Sequence, residues 1–264
     1  MNLRKLRRAL HGLALLALLI ATPAAEAGRS CEARPPRARA VEDAMTLAQH
    51  TAARLDATGA EVVALARIGQ NLSEYGLRYS HFGFAYRERG AWRVVHKLNA
   101  CGTAHGAVYR QGLGEFFLDD MFLYEAGFVV LTPAVQQHLL PVLADNAQLA
   151  RLNTPAYNML AYPWSVHYQQ SNQWAIETLA MSQDPAADTR DRAQAWLRLQ
   201  GYEPTTLRLS ALKRLGARVS AANIAFDDHP NEKRFSDRIE TVTVDSVFRW
   251  LERRSLGGEV EVIR

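Results

Sequence analysis

Ser80-His81-Phe82-Gly83-Phe84-Ala85-Tyr86-Arg87, then Glu88-Arg89-Gly90, then Ala91-Trp92-Arg93-Val94-Val95-His96-Lys97-Leu98, is the stretch that decides how this chain folds. From Tyr79 to Arg87 the residues alternate. His81, Gly83 and Ala85 point one way, and Phe82, Phe84 and Tyr86 the other, which is the period of a strand. The polar turn Glu88-Arg89-Gly90 leads into a second β-rich run, so the two strands form a hairpin. Side chains on one face of such a pair lie about 5 Å apart. The hairpin therefore places His81, on its small-residue face, beside His96.

Working outward, Arg39 to Thr58 repeats apolar residues at helical spacing, and Gly59 ends the helix. Glu61 to Ile68 reads as a strand. Residues 100–114 are glycine-rich and read as a loop, followed by a short helix at Leu113 to Leu118. Leu123 to Leu131 is another strand. Thr132-Pro133 opens a helix that runs to about Ala144. Residues 152–170 are irregular and aromatic, with Tyr157, Tyr162, Pro163, Trp164 and Tyr168. Helices are expected from Ser171 to Met181, Asp188 to Leu199, Leu207 to Leu215 and Val244 to Arg254, the last capped by Thr243. Asp227 to Asp237, with Asp227-Asp228-His229, reads as a solvated polar loop. The expected fold is α+β: a small antiparallel sheet with packed helices and a C-terminal helical extension.

The first 27 residues have the pattern of an export signal. Arg4, Lys5, Arg7 and Arg8 precede the apolar run Leu13 to Ile20, and Ala25-Glu26-Ala27 is a small-x-small cleavage site. The apolar run is shorter than the roughly 20 residues of a spanning helix, and no later segment is apolar enough to span. The chain carries 31 Lys+Arg and 27 Asp+Glu; without the signal's four cations and one anion, 27 face 26. The basic balance thus belongs largely to the signal. No basic stripe with interleaved aromatics is seen, which argues against nucleic-acid binding. The remaining residues, 28–264, suit a single exported domain, periplasmic or secreted.

Two cysteines, Cys31 and Cys101, read as one disulfide in an oxidising compartment. Other readings are a lipid on Cys31, opposed by the arginine in Gly28-Arg29-Ser30, and a catalytic Cys101, opposed by the lack of a helix start at its sulfur. His81 and His96 are either a general base with its orienting partner or structural histidines. Asn99 competes with His96 for the orienting role. His105, His138 and His167 are scattered, and no metal-ligand spacing links them to the hairpin pair. Neither a metal nor a cofactor is expected.

Three stretches carry a resemblance to known families: "SHFGFAYRERGAWRVVHKLN", "YEAGFVVLTPAVQQHLLPVL" and "YPWSVHYQQSNQWAIETLA". Their order resembles the circularly permuted branch of the NlpC/papain-like superfamily, over about residues 60–182, with the helical extension at about 183–255. With "ETVTVDSVFRWLERR", the whole mature chain resembles the bacterial family called domain of unknown function 2145. The papain-like resemblance implies a base at His81, an orienter at His96 and a nucleophile at a helix start within Gln170 to Gln173. No cysteine stands there. Ser171 is the only hydroxyl, and its alternative role is helix capping. Asn99, Asn172, Gln173 and Trp164 are candidate binding residues. The expected function is an exported envelope protein of papain-like fold: a degenerate or atypical amide or ester hydrolase without the cysteine nucleophile. The alternative is a non-enzymatic periplasmic binding or assembly module. Either would meet a cell-envelope peptide, glycan or lipid.

Overall fold

The computed structural model describes residues 35–119 and 121–264. The signal-like segment and Cys31 lie outside them. The order of elements follows the chain's periodicities. Helix α1 (Ala38–Thr58) ends at Gly59, whose φ of 67° is left-handed. Strands β1 (Val62–Ile68), β2 (His81–Glu88) and β3 (Ala91–Asn99) come next. The β2–β3 turn has Arg89 at φ 51° and Gly90 at φ 82°, both positive, the backbone twist that a two-residue hairpin requires. Strand β4 (Gly106–Gly112) leads into α2 (Leu113–Leu118), β5 (Leu123–Val130), α3 (Pro133–Ala144) and α4 (Asn146–Arg151). Helices α5 (Ser171–Gln183) and α6 (Arg190–Leu199) follow. The C-terminal part holds β6 (Thr205–Arg208), α7 (Ala211–Ser220), α8 (Asn231–Arg234), β7 (Arg238–Thr241), α9 (Val244–Arg253) and β8 (Glu261–Ile263).

The main sheet has the order β4-β3-β2-β1-β5-β8, and its described pairings are antiparallel. Both faces are covered. Ala85 joins Val63, Leu65, Val94, Phe116 and Phe128 beneath α1 and α2. Phe82, Phe84 and Tyr86 join Val62, Ala64, Val95, Trp174, Leu139 and Leu251 beneath α3, α5 and α9. The alternation in β2 thus sorts side chains onto two cores. Helix α5 is buried from Ser171 to Met181, on every side, so it lacks an amphipathic stripe.

The fold is α+β, and four details depart from the sequence expectation. The glycine-rich stretch after residue 100 contains strand β4, paired to β3 with His96 opposite Tyr109. Its glycine permits close packing: a Cβ on Gly106 would sit 2.9 Å from both the Lys97 stem and the Tyr157 ring. Leu207 is in strand β6, and the helix expected there starts at Ala211, capped by Ser210. The C-terminal part includes a two-stranded ribbon, β6–β7, with its own small core of Leu207, Leu209, Ile224, Phe226 and Ile239. Finally, β8 returns to the main sheet beside β5. Among the described residues no helix is long and apolar enough to cross a membrane.

Candidate functional site

The hairpin register places His96 opposite Gly83, and a Cβ on Gly83 would meet the His96 Cβ at 2.7 Å and the Val95 carbonyl at 2.5 Å. Glycine therefore lets the strands close, and the rings meet diagonally. His81 Nε2 and His96 Nδ1 are 2.8 Å apart, with the rings edge to face at 5.1 Å. Phe116 of α2 packs 5.1 Å from the His96 ring and 6.1 Å from the His81 ring.

The proton positions follow from the partners. Gln111 Nε2 donates to the Glu115 carboxylate at 3.0 Å, so the Gln111 oxygen faces His96. His96 Nε2–H then donates to that oxygen at 2.7 Å. In neutral His96, Nδ1 is left as an acceptor, and His81 Nε2–H donates to it. The relay runs His81 to His96 to Gln111 to Glu115, and it leaves His81 Nδ1 as an acceptor. His96 is fully buried, and His81 is half-buried. Burial, then the nearby Arg67 guanidinium, pushes His96 down from 6.5 to about 3. The same two causes, followed by His96 itself, hold His81 well below the ordinary range. Arg67, paired across β1–β2 with His81, is itself buried and donates to the Phe116 carbonyl and the Asp119 carboxylate at the end of α2.

The start of α5 sits differently. Gln170, not Ser171, is the N-cap, and Ser171 is the first helical residue. The Ser171 hydroxyl is buried and bonds to the Tyr157 hydroxyl at 3.1 Å; no hydrogen bond joins it to His81. Tyr157 packs on Gly106 beside Lys97, whose side chain belongs to the α5 face of the sheet. The imidazole pair packs against Phe116 on the α1–α2 face. Asn172 links helix and hairpin through the backbone: its Oδ1 accepts from Phe82 N at 3.3 Å, and its Nδ2 donates to the Val242 carbonyl at 3.3 Å. Gln173 Nε2 donates to the carbonyls of Tyr162 and Pro163, while its buried Oε1 has no partner.

The remaining candidates are dispersed. Asn99 donates to the carbonyls of Ala100 and Thr103 and so serves its own turn, while His96 is the residue bonded to His81. Trp164 packs 6.1 Å from the Tyr202 ring, with the Arg198 guanidinium 4.5 Å from its own. His167 meets the Tyr168 ring edge to face, and His105 lies in a bridge to Ala156. Among the described residues no cysteine is free, and Cys31 lies outside them.

Two polar clusters carry no clear signal in the sequence. Below α5, Glu177 accepts from Gln169 at 2.6 Å, Gln194 at 2.7 Å and Arg190 at 2.8 Å. Lys97 Nζ donates to Asn153 Oδ1, the Thr154 carbonyl and Gln169 Oε1 at 2.7, 2.6 and 3.0 Å. Burial, then Arg190, lowers the Lys97 amine to about 7, with Glu177 opposing. Three acceptors nevertheless match the three donors of an ammonium. These residues come from five separate segments, so no local spacing announces them. The second cluster overturns the expectation of a solvated Asp227-Asp228-His229 loop: His229 is buried, 2.9 Å from both the Asp228 carboxylate and the Glu240 carbonyl. Asp228 also accepts from Tyr162 N at 2.7 Å, tying the aromatic segment to this loop.

The sequence profile of a bacterial family, described as an uncharacterized protein conserved in bacteria (DUF2145), matches residues 54–251. The chain belongs to this family. The matched span covers the histidine hairpin, the central helix α5 and the β6–β7 ribbon, and it stops inside α9. No curated protein and no solved structure matches the chain.

Proposed function

We propose that this family member is an exported envelope protein on a permuted papain-like plan, in which a hydrolytic site has become a binding site. Export to the periplasm or beyond rests on the signal pattern of residues 1–27. The papain-like relationship rests on the order of histidine strand, hairpin partner and central helix. One observation carries the binding reading: the hydroxyl at the expected nucleophile position, Ser171, is buried and bonded to Tyr157 rather than to His81. A serine without a base in contact is not activated. His81, in contrast, is a half-buried residue that keeps an acceptor nitrogen, suited to an N–H or O–H of an envelope peptide, glycan or lipid.

The directed relay supports a second reading. With its Nε2–H committed to His96, His81 Nδ1 has the tautomer that a general base needs. An atypical amide or ester hydrolase would have to bring a nucleophile to it. Ester and amide probes on the chain lacking residues 1–27 separate the two. The binding reading expects no turnover above that of His81→Ala, together with His81-dependent retention of envelope peptide or glycan fragments. Turnover lost in His81→Ala would establish the hydrolase instead, and its loss in Ser171→Ala as well would make Ser171 the nucleophile.

A further inference from the structure

Helix α7 is mounted inside out. An amphipathic surface helix buries its apolar stripe, yet here Leu212, Leu215 and Val219 are 79%, 61% and 81% exposed. Their spacing of three and four residues puts them on one face. The opposite face holds the helix down. Arg214 Nη1 donates to the carbonyls of Arg234 and Ser236 at 2.5 Å, and Ala217 packs on the small core under the ribbon. Arg214 thereby also fixes the segment bearing Phe235, which is 74% exposed. Arg218 flanks the stripe on one side; on the other, Lys213 is held by Glu74 at 2.8 Å.

The same unit concentrates positive charge. On the outer face of the ribbon Arg208 stands directly opposite Arg238, an arrangement of like charges that costs stability unless an anion lies between them. With Lys233, Thr206 and Glu240 they line a cleft of about 410 Å³. Glu240 is paired with Lys233, and Asp237 is 3.8 Å from Arg208. The three cations of the cleft thus meet two carboxylates, Glu240 within it and Asp237 beside it.

We propose that α7, Phe235 and the adjoining Arg208–Arg238 cleft form a docking surface for an anionic lipid bilayer. The stripe would lie at the boundary of headgroups and acyl chains, with Arg218 reaching the phosphates, as interfacial helices do. The arginine pair would take anionic headgroups, whose charge matches what the cleft lacks. This surface lies apart from the histidine hairpin, so it stands or falls separately from the binding reading above.

The test is flotation of the chain lacking residues 1–27 with vesicles of phosphatidylglycerol and phosphatidylethanolamine, against pure phosphatidylcholine. We expect partitioning into the anionic vesicles only, falling about tenfold or more in the exposed-site variants L212S/L215S/V219S and R208Q/R238Q, with unchanged circular dichroism. High salt should weaken it. Equal recovery of wild-type chain and variants would overturn the proposal. So would full competition by soluble glycerol phosphate, which would assign the cleft to a small anion. A dimer in solution abolished by L212S/L215S/V219S would assign the stripe to a second copy of the chain and overturn it as well.

Discussion

His96 shows how much one residue's surroundings decide. Its ring is buried and neutral because the Gln111 oxygen takes its Nε2–H and burial depresses its proton affinity to about 3. The unfolded chain binds that proton near 6.5. Between these values the unfolded state holds more protons, so stability must fall as pH drops from about 6.5 towards 3. A single such histidine gives a slope of up to about 1.4 kcal/mol per pH unit. Urea midpoints measured from pH 7 to pH 4 should therefore fall less steeply in His96→Gln than in the wild type. Parallel curves would mean that His96 is protonated in the folded protein. Gly83 is the second single-residue control. Alanine there puts a Cβ 2.5 Å from the Val95 carbonyl, on rigid backbone. We expect Gly83→Ala to cost about 2 kcal/mol or more and to part His81 from His96. Imidazole nitrogen shifts in NMR spectra would report the lost bond; unchanged shifts would show that β3 can yield.

At the scale of elements, the polar network around Glu177 joins pieces that hydrophobic packing alone leaves unregistered. Helix α5 is buried on all sides, so apolar contact does not choose its rotation. Glu177 does, by accepting from Arg190 and Gln194 on α6 and from Gln169 in the aromatic segment. Arg190 in turn donates to the carbonyls of Val166 and Ser165. Glu177→Gln leaves a buried guanidinium without its counter-charge, a change that costs about 3 kcal/mol. Thermal unfolding should register it as a large drop in Tm. Limited proteolysis should open the chain between residues 152 and 170 first. A variant as stable as the wild type would mean that water reaches Arg190.

At the scale of the whole molecule, the chain's ends bear on its assembly. Strand β8 adds Glu261–Ile263 to the sheet edge at β5, and Arg264 pairs with buried Glu125 at 2.7 Å. At the other end, the export proposed above would let Cys31 bridge to Cys101. That link would close a loop of about 70 residues and, in the chain-entropy account, contribute roughly 4 kcal/mol. Alkylation of the protein recovered from the periplasmic fraction without reductant, followed by mass spectrometry, should find no labelled thiol. Two labelled cysteines would remove the bridge.

Much of this architecture is local in origin. The β2 alternation, the Arg89-Gly90 turn, the Gly59 stop and Pro133 at a helix start each depend on neighbours a few residues away, and each is readable without coordinates. So is the meeting of His81 with His96, because a hairpin's register is set by its turn. Strand β4 is not readable in this way: its glycines suit a loop until Lys97 and Tyr157 are seen to occupy the space that side chains would fill. The ribbon's pairing of Thr205 with Thr241 spans a gap no local pattern bridges. Buried charges behave likewise, since Glu177, Arg190 and His229 look like surface residues until distant partners enclose them. Which face of the sheet Ser171 occupies was decided by the tertiary structure alone. Periodicity tells which side chains share a face, but only the packing of helix on sheet tells which face a remote helix covers.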